Sequence, residues 1–378
     1  MRKTIKTLLL LCLSMFFCMA FLTSCDENKG SSEQDGIHTH SFGEWMVTKE
    51  PMETEDGEKE RSCACGEKEI KPIRVTGSQG LDYTLGDDGT YYILSSIGTC
   101  TDENIIIPEI YKGKPVKIIG DSAFYYGRNR LASVDIPDSV VIIEDAAFWR
   151  CEALTKIIIP DGVTHIGNEA FQDCLRLTDV AIPNSVIVIG DRAFMGCKGM
   201  TSLTIGNGVK DIGYRAFEYC TGLTSLSIPE GIVSIGESAF EHCSGLTSVV
   251  IPDSVTNIGS YAFRYCTSLV SISLPKNLTC VTDYMVANCS SLTGFEIPEG
   301  VTNIGFWTFL ECTGLTSVVI PKSVESIGFQ TFYHCTDLTY ITFDGTMAQW
   351  NAIEKNTGWQ EGSYLKNIVC TDGTISLD

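Results

Sequence analysis

Two histidines and two cysteines near the N-terminus, His38, His40, Cys63 and Cys65, have the types to hold a metal ion. Imidazole nitrogen and thiolate sulfur are the usual donors of tetrahedral zinc. Residues 37–73 are therefore expected either to bind zinc through these four side chains or to stand as a metal-free module packed on Phe42 and Trp45. The pair is a C-x-C, Cys63-Ala64-Cys65, an awkward spacing for chelation, and Met52 stands where a further cysteine would be expected. Catalytic chemistry finds little to work with elsewhere. Neither G-x-S-x-G, H-E-x-x-H nor a P-loop occurs in the sequence, and it holds only five histidines. No catalytic residue is assigned, an enzyme is not expected, and zinc is the one cofactor under consideration.

Most of the remaining cysteines follow a different logic. Cys151, Cys174, Cys197, Cys220, Cys243, Cys266, Cys289, Cys312 and Cys335 recur every 23 residues, in copies that read C-x-x-L-T-S-V-x-I-P-x-x-V-x-x-I-G-x-x-A-F-x-x-C. A period in the range of roughly 20–29 residues with an L-x-x-L-x-L core is the signature of a leucine-rich-repeat solenoid, in which each copy is one coil stacked on the next. In the copy beginning at Leu246, residues 246–251 alternate as a short strand of a parallel sheet that Pro252 ends. Gly259 suits a turn needing positive φ or close backbone approach, and Ala262-Phe263 opens a short helical or 3-10 turn that ends near Cys266. Leu246, Val249, Ile251, Val255, Ile258, Ala262, Phe263 and Cys266 should point inward. The repeat cysteines should then be buried free thiols. Equivalent residues of adjacent coils lie about 4.8 Å apart with parallel side chains, an orientation unsuited to a disulfide.

The ends of the chain read differently. Residues 1–24 combine Arg2, Lys3 and Lys6 with an apolar run from Leu8 to Leu22, as an export signal does, and Leu22-Thr23-Ser24-Cys25 resembles the lipobox of bacterial lipoproteins. Cys25 would carry the lipid. Residues 25–36 form a polar tether, residues 37–73 the small His/Cys module, and residues 74–378 the solenoid. Within it, residues 81–119 are expected to be an N-terminal cap, residues 120–343 the regular coils and residues 344–378 a C-terminal cap. Cleavage would remove three basic residues and no acidic one, taking the formal charge from −20 to −23. A chain so acidic repels nucleic acid and anionic lipid heads, which leaves the lipid as the only membrane attachment. Acidic residues just after Cys25 favour an outer-membrane lipoprotein displayed on the cell surface.

A binding face belongs where side chains point outward and differ between copies. On the sheet, Ser202 and Thr204, Ser225 and Ser227, Ser248 and Val250, Ser271 and Ser273, and Ser317 and Val319 form a ladder of small side chains. The turn side is richer: Trp149, Tyr214, Arg215, Tyr219, Tyr261, Arg264, Tyr265, Trp307 and Tyr333 are the residue types that dominate interface hot spots, and they are taken as the partner-binding set.

Taken together the copies resemble the BspA-like leucine-rich-repeat family of bacterial surface proteins, over nearly all of residues 81–378. The ending Ile341-Thr342-Phe343-Asp344-Gly345-Thr346, then Ala348-Gln349-Trp350 and Cys370-Thr371-Asp372-Gly373, is similar to that family's C-terminal cap. Residues 37–73 likewise resemble small zinc-ribbon-like modules found beside such repeats. The resemblance implies adhesion to a host matrix or plasma protein, or to another bacterial surface. A glycan ligand and a ligand-free envelope spacer are the alternatives.

Overall fold

A computed structural model describes residues 40–377 apart from 53–54 and 126–128. The signal, Cys25, the tether and His38 lie outside the described residues. The chain divides into two compact units, one of residues up to 50 with 58–72, the other of residues 51–57 with 73–378.

The first unit is built on a three-stranded sheet, Met46–Lys49, Gly57–Ser62 and Lys68–Ile73. Its aromatic centre is held by cations: Arg61 lies 4.7 Å from the Trp45 ring and 5.1 Å from Phe42, and Lys59 and Lys71 also face Trp45.

The second unit is a parallel β-solenoid of about 12 turns. Each regular coil contributes two short strands where one was expected. In the copy at Leu246 these are Ser248–Val250 and Asn257–Ile258. Each pairs in parallel with its equivalent 23 residues away, as in Ser248↔Ser271 and Ser234↔Asn257, so two sheets run along the stack. The V-x-x-I half of the motif encodes the second sheet: Val255 and Ile258 are buried, and Asn257 between them faces out. A hairpin, Asp82–Leu85 with Tyr92–Ser96, opens the unit and pairs in parallel with Lys114–Ile119.

The Ala-Phe segment is not helical, contrary to expectation. The one α-helix among the described residues is Met347–Ala352, and the coils instead pass through successive turns in which two residues, nearly always non-glycine, adopt left-handed φ, such as Tyr261 at 62° and Tyr265 at 59°. That conformation costs roughly 1–2 kcal/mol per residue and breaks a helix wherever it occurs. It persists because the amides of the left-handed residues bond to the next coil, as Tyr261 N–H does to Asp283 O and Tyr265 N–H to Ala287 O. The glycine after the second strand is there for space, not for positive φ: a Cβ on Gly259 would meet the Glu237 nitrogen at 2.4 Å.

Packing is one continuous hydrophobic cluster from Leu81 to Cys370. Phe124, Phe148, Phe171, Phe194, Phe217, Phe240 and Phe263 stack in a column, with centroids 4.7–5.5 Å apart and planes within 8°. All nine repeat cysteines are buried free thiols. Each donates its S–H to the backbone carbonyl in the phenylalanine slot of the preceding coil, for example Cys220 Sγ to Phe194 O at 3.4 Å. Burial pushes these thiols far from their ionised form; that of Cys243 is raised to about 12.

The column is interrupted once, at Val286, where both sheets also break: one ends at Ser271–Ser273 and resumes at Gly294–Glu296, the other at Asn257–Ile258 and Cys280–Val281. Turn-side hydrogen bonds continue across the break, including Phe263 N–H to Met285 O. In the next coil Phe295 packs edge-on against Phe309, 4.7 Å between centroids, and restores ring volume beside the smaller valine.

Candidate functional site

The left-handed positions aim the ridge. Because two such residues occur in every coil at constant spacing, their side chains fall into two columns along the turn side of the solenoid. In one, Tyr261, Tyr284 and Trp307 stack at 4.7 and 5.1 Å, and Trp307 Nε1 donates to Gln330 Oε1 at 3.0 Å. In the other, Tyr219, His242 and Tyr265 stack at 4.4 Å with planes within 9°. Arg264 ties the columns together, its guanidinium lying 4.7 Å from the Tyr265 ring, 5.2 Å from Tyr284 and 5.5 Å from Tyr261. Further along, Tyr214 sits between Arg192 and Arg215, each 4.9 Å from its ring.

A carboxylate pair lies beneath. Glu218, Glu241 and Arg264 occupy one slot of three consecutive coils; Glu218 is 4% exposed and Glu241 7%. Arg215 Nε is 3.6 Å from Glu218, and Arg264 is equally far from Glu241, both long for ion pairs. Desolvation raises the Glu218 carboxyl above its ordinary range against the opposing pull of Arg215, and the neighbouring Glu241 charge adds to the rise. Desolvation likewise lowers the His242 imidazole, so the ring favours its neutral form inside the stack. Within the columns the rings face each other and the guanidinium groups, while Arg215 Nε, Glu218 Oε2 and Arg264 Nε are buried without a hydrogen-bond partner.

Of the nine sequence-chosen residues, the structure brings Tyr214, Arg215, Tyr219, Tyr261, Arg264, Tyr265 and Trp307 into this network. Trp149 instead stacks on Tyr125, at 5.2 Å, and Tyr333 on its neighbour His334, at 4.0 Å. Tyr284, His242, Glu218, Glu241 and Arg192 were missed. A signal existed: Tyr284 and His242 lie one period beyond Tyr261 and Tyr219, in the same slots.

The sheet face is as smooth as its sequence. Ser202, Thr204, Ser225, Ser227, Ser248, Ser271 and Ser273 are exposed, and Val250 is 68% exposed. Many threonines beside it are already committed to the scaffold: Thr155, Thr178, Thr247, Thr293 and Thr316 each donate to a carbonyl one coil earlier.

In the first unit, His40, Cys63 and Cys65 converge, with one ligand atom from each lying within 4.8 Å of the others. The Cys63 thiol is lowered to about 6 by hydrogen bonds from the Cys65 backbone, the Cys65 side chain and His40.

A stack of 23-residue coils with two parallel sheets and buried phenylalanine and cysteine columns defines a leucine-rich-repeat solenoid. The chain belongs to the BspA-type leucine-rich-repeat family: the model of the BspA type Leucine rich repeat region, in six copies, matches residues 117–247 and 233–356. Among solved structures, a leucine rich cell surface protein from Faecalibacterium prausnitzii is 28% identical, with 76% of this chain and 99% of that one covered and a TM-score of 0.37. The T. pallidum leucine rich repeat protein is 23% identical over 70% and 90% of the two chains, TM-score 0.39. Pneumococcal vaccine antigen PcpA is 16% identical over 75% and 88%, TM-score 0.36. No curated protein matches the chain.

Proposed function

We propose that this is a surface protein of the bacterial cell envelope, anchored to the outer membrane by lipid on Cys25, that recognises a protein partner through its turn-side ridge. The partner class is a host matrix or plasma protein or another bacterial surface. The observation that carries the reading is the pair of aromatic columns joined by Arg264. Tyrosine, tryptophan and arginine held rigid before binding lose little conformational entropy on contact, which is what makes such residues energetic centres of interfaces. The same stacking weighs against a glycan ligand. Sugars are gripped by lying on ring faces, and the faces between neighbouring rings of each column are occupied at 4.4–5.1 Å. Edges and hydroxyls suit the carbonyls and carboxylates of a protein surface. Nothing in this reading requires catalysis.

Tyr219 and Tyr265 allow the test to separate binding from folding. Both hold left-handed φ, 60° and 59°, and the equivalent position in another coil is Gly196. Replacement of either by glycine removes a ring while relieving backbone strain, so the melting temperature should shift by no more than a few degrees. Arrays of extracellular proteins and of glycans probed with the wild-type chain should yield protein partners, and Tyr219→Gly with Tyr265→Gly should weaken capture about 30-fold or more, as loss of a hot spot of about 2 kcal/mol does. Capture on glycans alone, or protein capture indifferent to both variants, would reject the proposal.

A further inference from the structure

We propose that His40, Cys63 and Cys65 form a binding site for a zinc-class transition-metal ion in the three-stranded unit. Phe42 and Cys63 form an antiparallel bridge. Directly after that bridge the chain enters a turn, and Cys65 lies within it. The turn, not strand alternation, brings the Cys65 thiol together with that of Cys63 and the His40 imidazole, which removes the awkwardness the C-x-C spacing presents when read as sequence alone. His40 Nδ1 lies 3.2 Å from Cys65 Sγ.

The local backbone supports this convergence. Cys63 N–H donates to Glu67 O at 2.8 Å and Gly66 N–H to Cys63 O at 2.9 Å, closing a tight turn with Gly66 at φ +93°, where a larger residue would be strained. Arg61, pinned by Glu69 at 2.7 Å and lying over Phe42 and Trp45, stiffens the strand that delivers Cys63.

The donor set then selects the ion. Zn–S bonds of about 2.3 Å and Zn–N bonds of about 2.0–2.1 Å put tetrahedral ligand atoms about 3.5–3.8 Å apart. The three atoms here, none more than 4.8 Å from another, reach that geometry by closing about 1 Å. Two thiolates and an imidazole disfavour calcium and magnesium, which take oxygen donors, and favour zinc and its analogues. Cys65 and His40 are exposed and Cys63 is half-buried, so an ion can enter; these are the three ligands among the described residues.

The test uses the intact chain, reduced and kept free of oxygen, titrated with Co(II) as a spectroscopic stand-in for Zn(II). One equivalent should produce thiolate-to-cobalt charge-transfer absorption and tetrahedral ligand-field bands, and one equivalent of Zn(II) should abolish both. Cys63→Ser with Cys65→Ser should lose the signal, His40→Ala should weaken binding at least about tenfold, and Cys220→Ala, from the buried solenoid column, should leave it unchanged. Zn(II) should also shield Cys63 and Cys65 from alkylation while leaving Cys280 reactive. Absence of cobalt absorption, its survival in the Cys63→Ser/Cys65→Ser chain, or recovery of Cys63 and Cys65 joined as a disulfide from freshly isolated protein would each overturn the site.

Discussion

Replacing Phe217 by alanine is expected to lower the free energy of unfolding by about 3–5 kcal/mol, read as a fall in the urea midpoint at constant slope. The ring is fully buried, with Phe194 and Phe240 each 5.4 Å away in near-parallel planes. Those neighbours are themselves held by the next rings, so the column cannot collapse into the gap, and most of the cavity penalty remains. Stability in a solenoid is nearly a sum of local and nearest-neighbour terms, so protection from hydrogen exchange should fall most in the coils around Cys220 and least near either end. The coil of Val286 shows what tolerance requires: a valine in the ring slot is accompanied by Met285 beside it and Phe295 in the following coil. A cost for Phe217→Ala below about 1 kcal/mol would mean the column relaxes freely, contrary to the packing described.

Replacing Trp350 by alanine should cost about 3–5 kcal/mol as well, with a second effect that a mid-column change lacks. Trp350 is 2% exposed, meets Phe343 and Trp359 edge-on at 5.3 and 5.9 Å, and lies under the Lys355 ammonium at 4.8 Å. Trp359 in turn closes the phenylalanine column against Phe332, at 6.0 Å. The Lys355 ammonium is hydrogen-bonded to the Trp350 and Ile353 carbonyls, which fixes the strand Glu354–Lys355 on the last coil edge, Ser326–Ile327. Loosening this closure opens strand edges and apolar surface together, so the variant should associate with rising concentration. Sedimentation would show it; a monomer at all concentrations, with unchanged melting, would refute the capping role.

Much of the solenoid was legible because each coil repeats one physical solution. The 23-residue period, the inward residues from Leu246 to Cys266 and the exposed serine face follow from alternation and burial, and the coordinates place them so. The second sheet escaped because a two-residue strand such as Asn257–Ile258 is too short to show alternation. The sequence suggests a helical turn because Ala262-Phe263 has helix-compatible residues, while the left-handed angles at Tyr261 and Tyr265 are announced by a glycine in that slot only at Gly196. For the candidate ridge, residue types were sufficient to nominate Tyr219, Arg264 and Trp307 but not to separate Trp149 and Tyr333, whose partners are Tyr125 and His334.

By itself, then, the amino-acid order determined the repeat, the interior and the inventory of side chains available outside, since these depend on local pattern and on the cost of wetting apolar groups. Only the tertiary structure decided which of those side chains meet. Coil-to-coil hydrogen bonding holds two residues per turn at φ near +60°, aligning Tyr219 with His242 and Tyr261 with Tyr284, and the bridge at Cys63 with the turn after it sets His40 against Cys65. Both alignments are relations between segments far apart along the chain, and such relations exist only once the backbone has closed its hydrogen bonds across them.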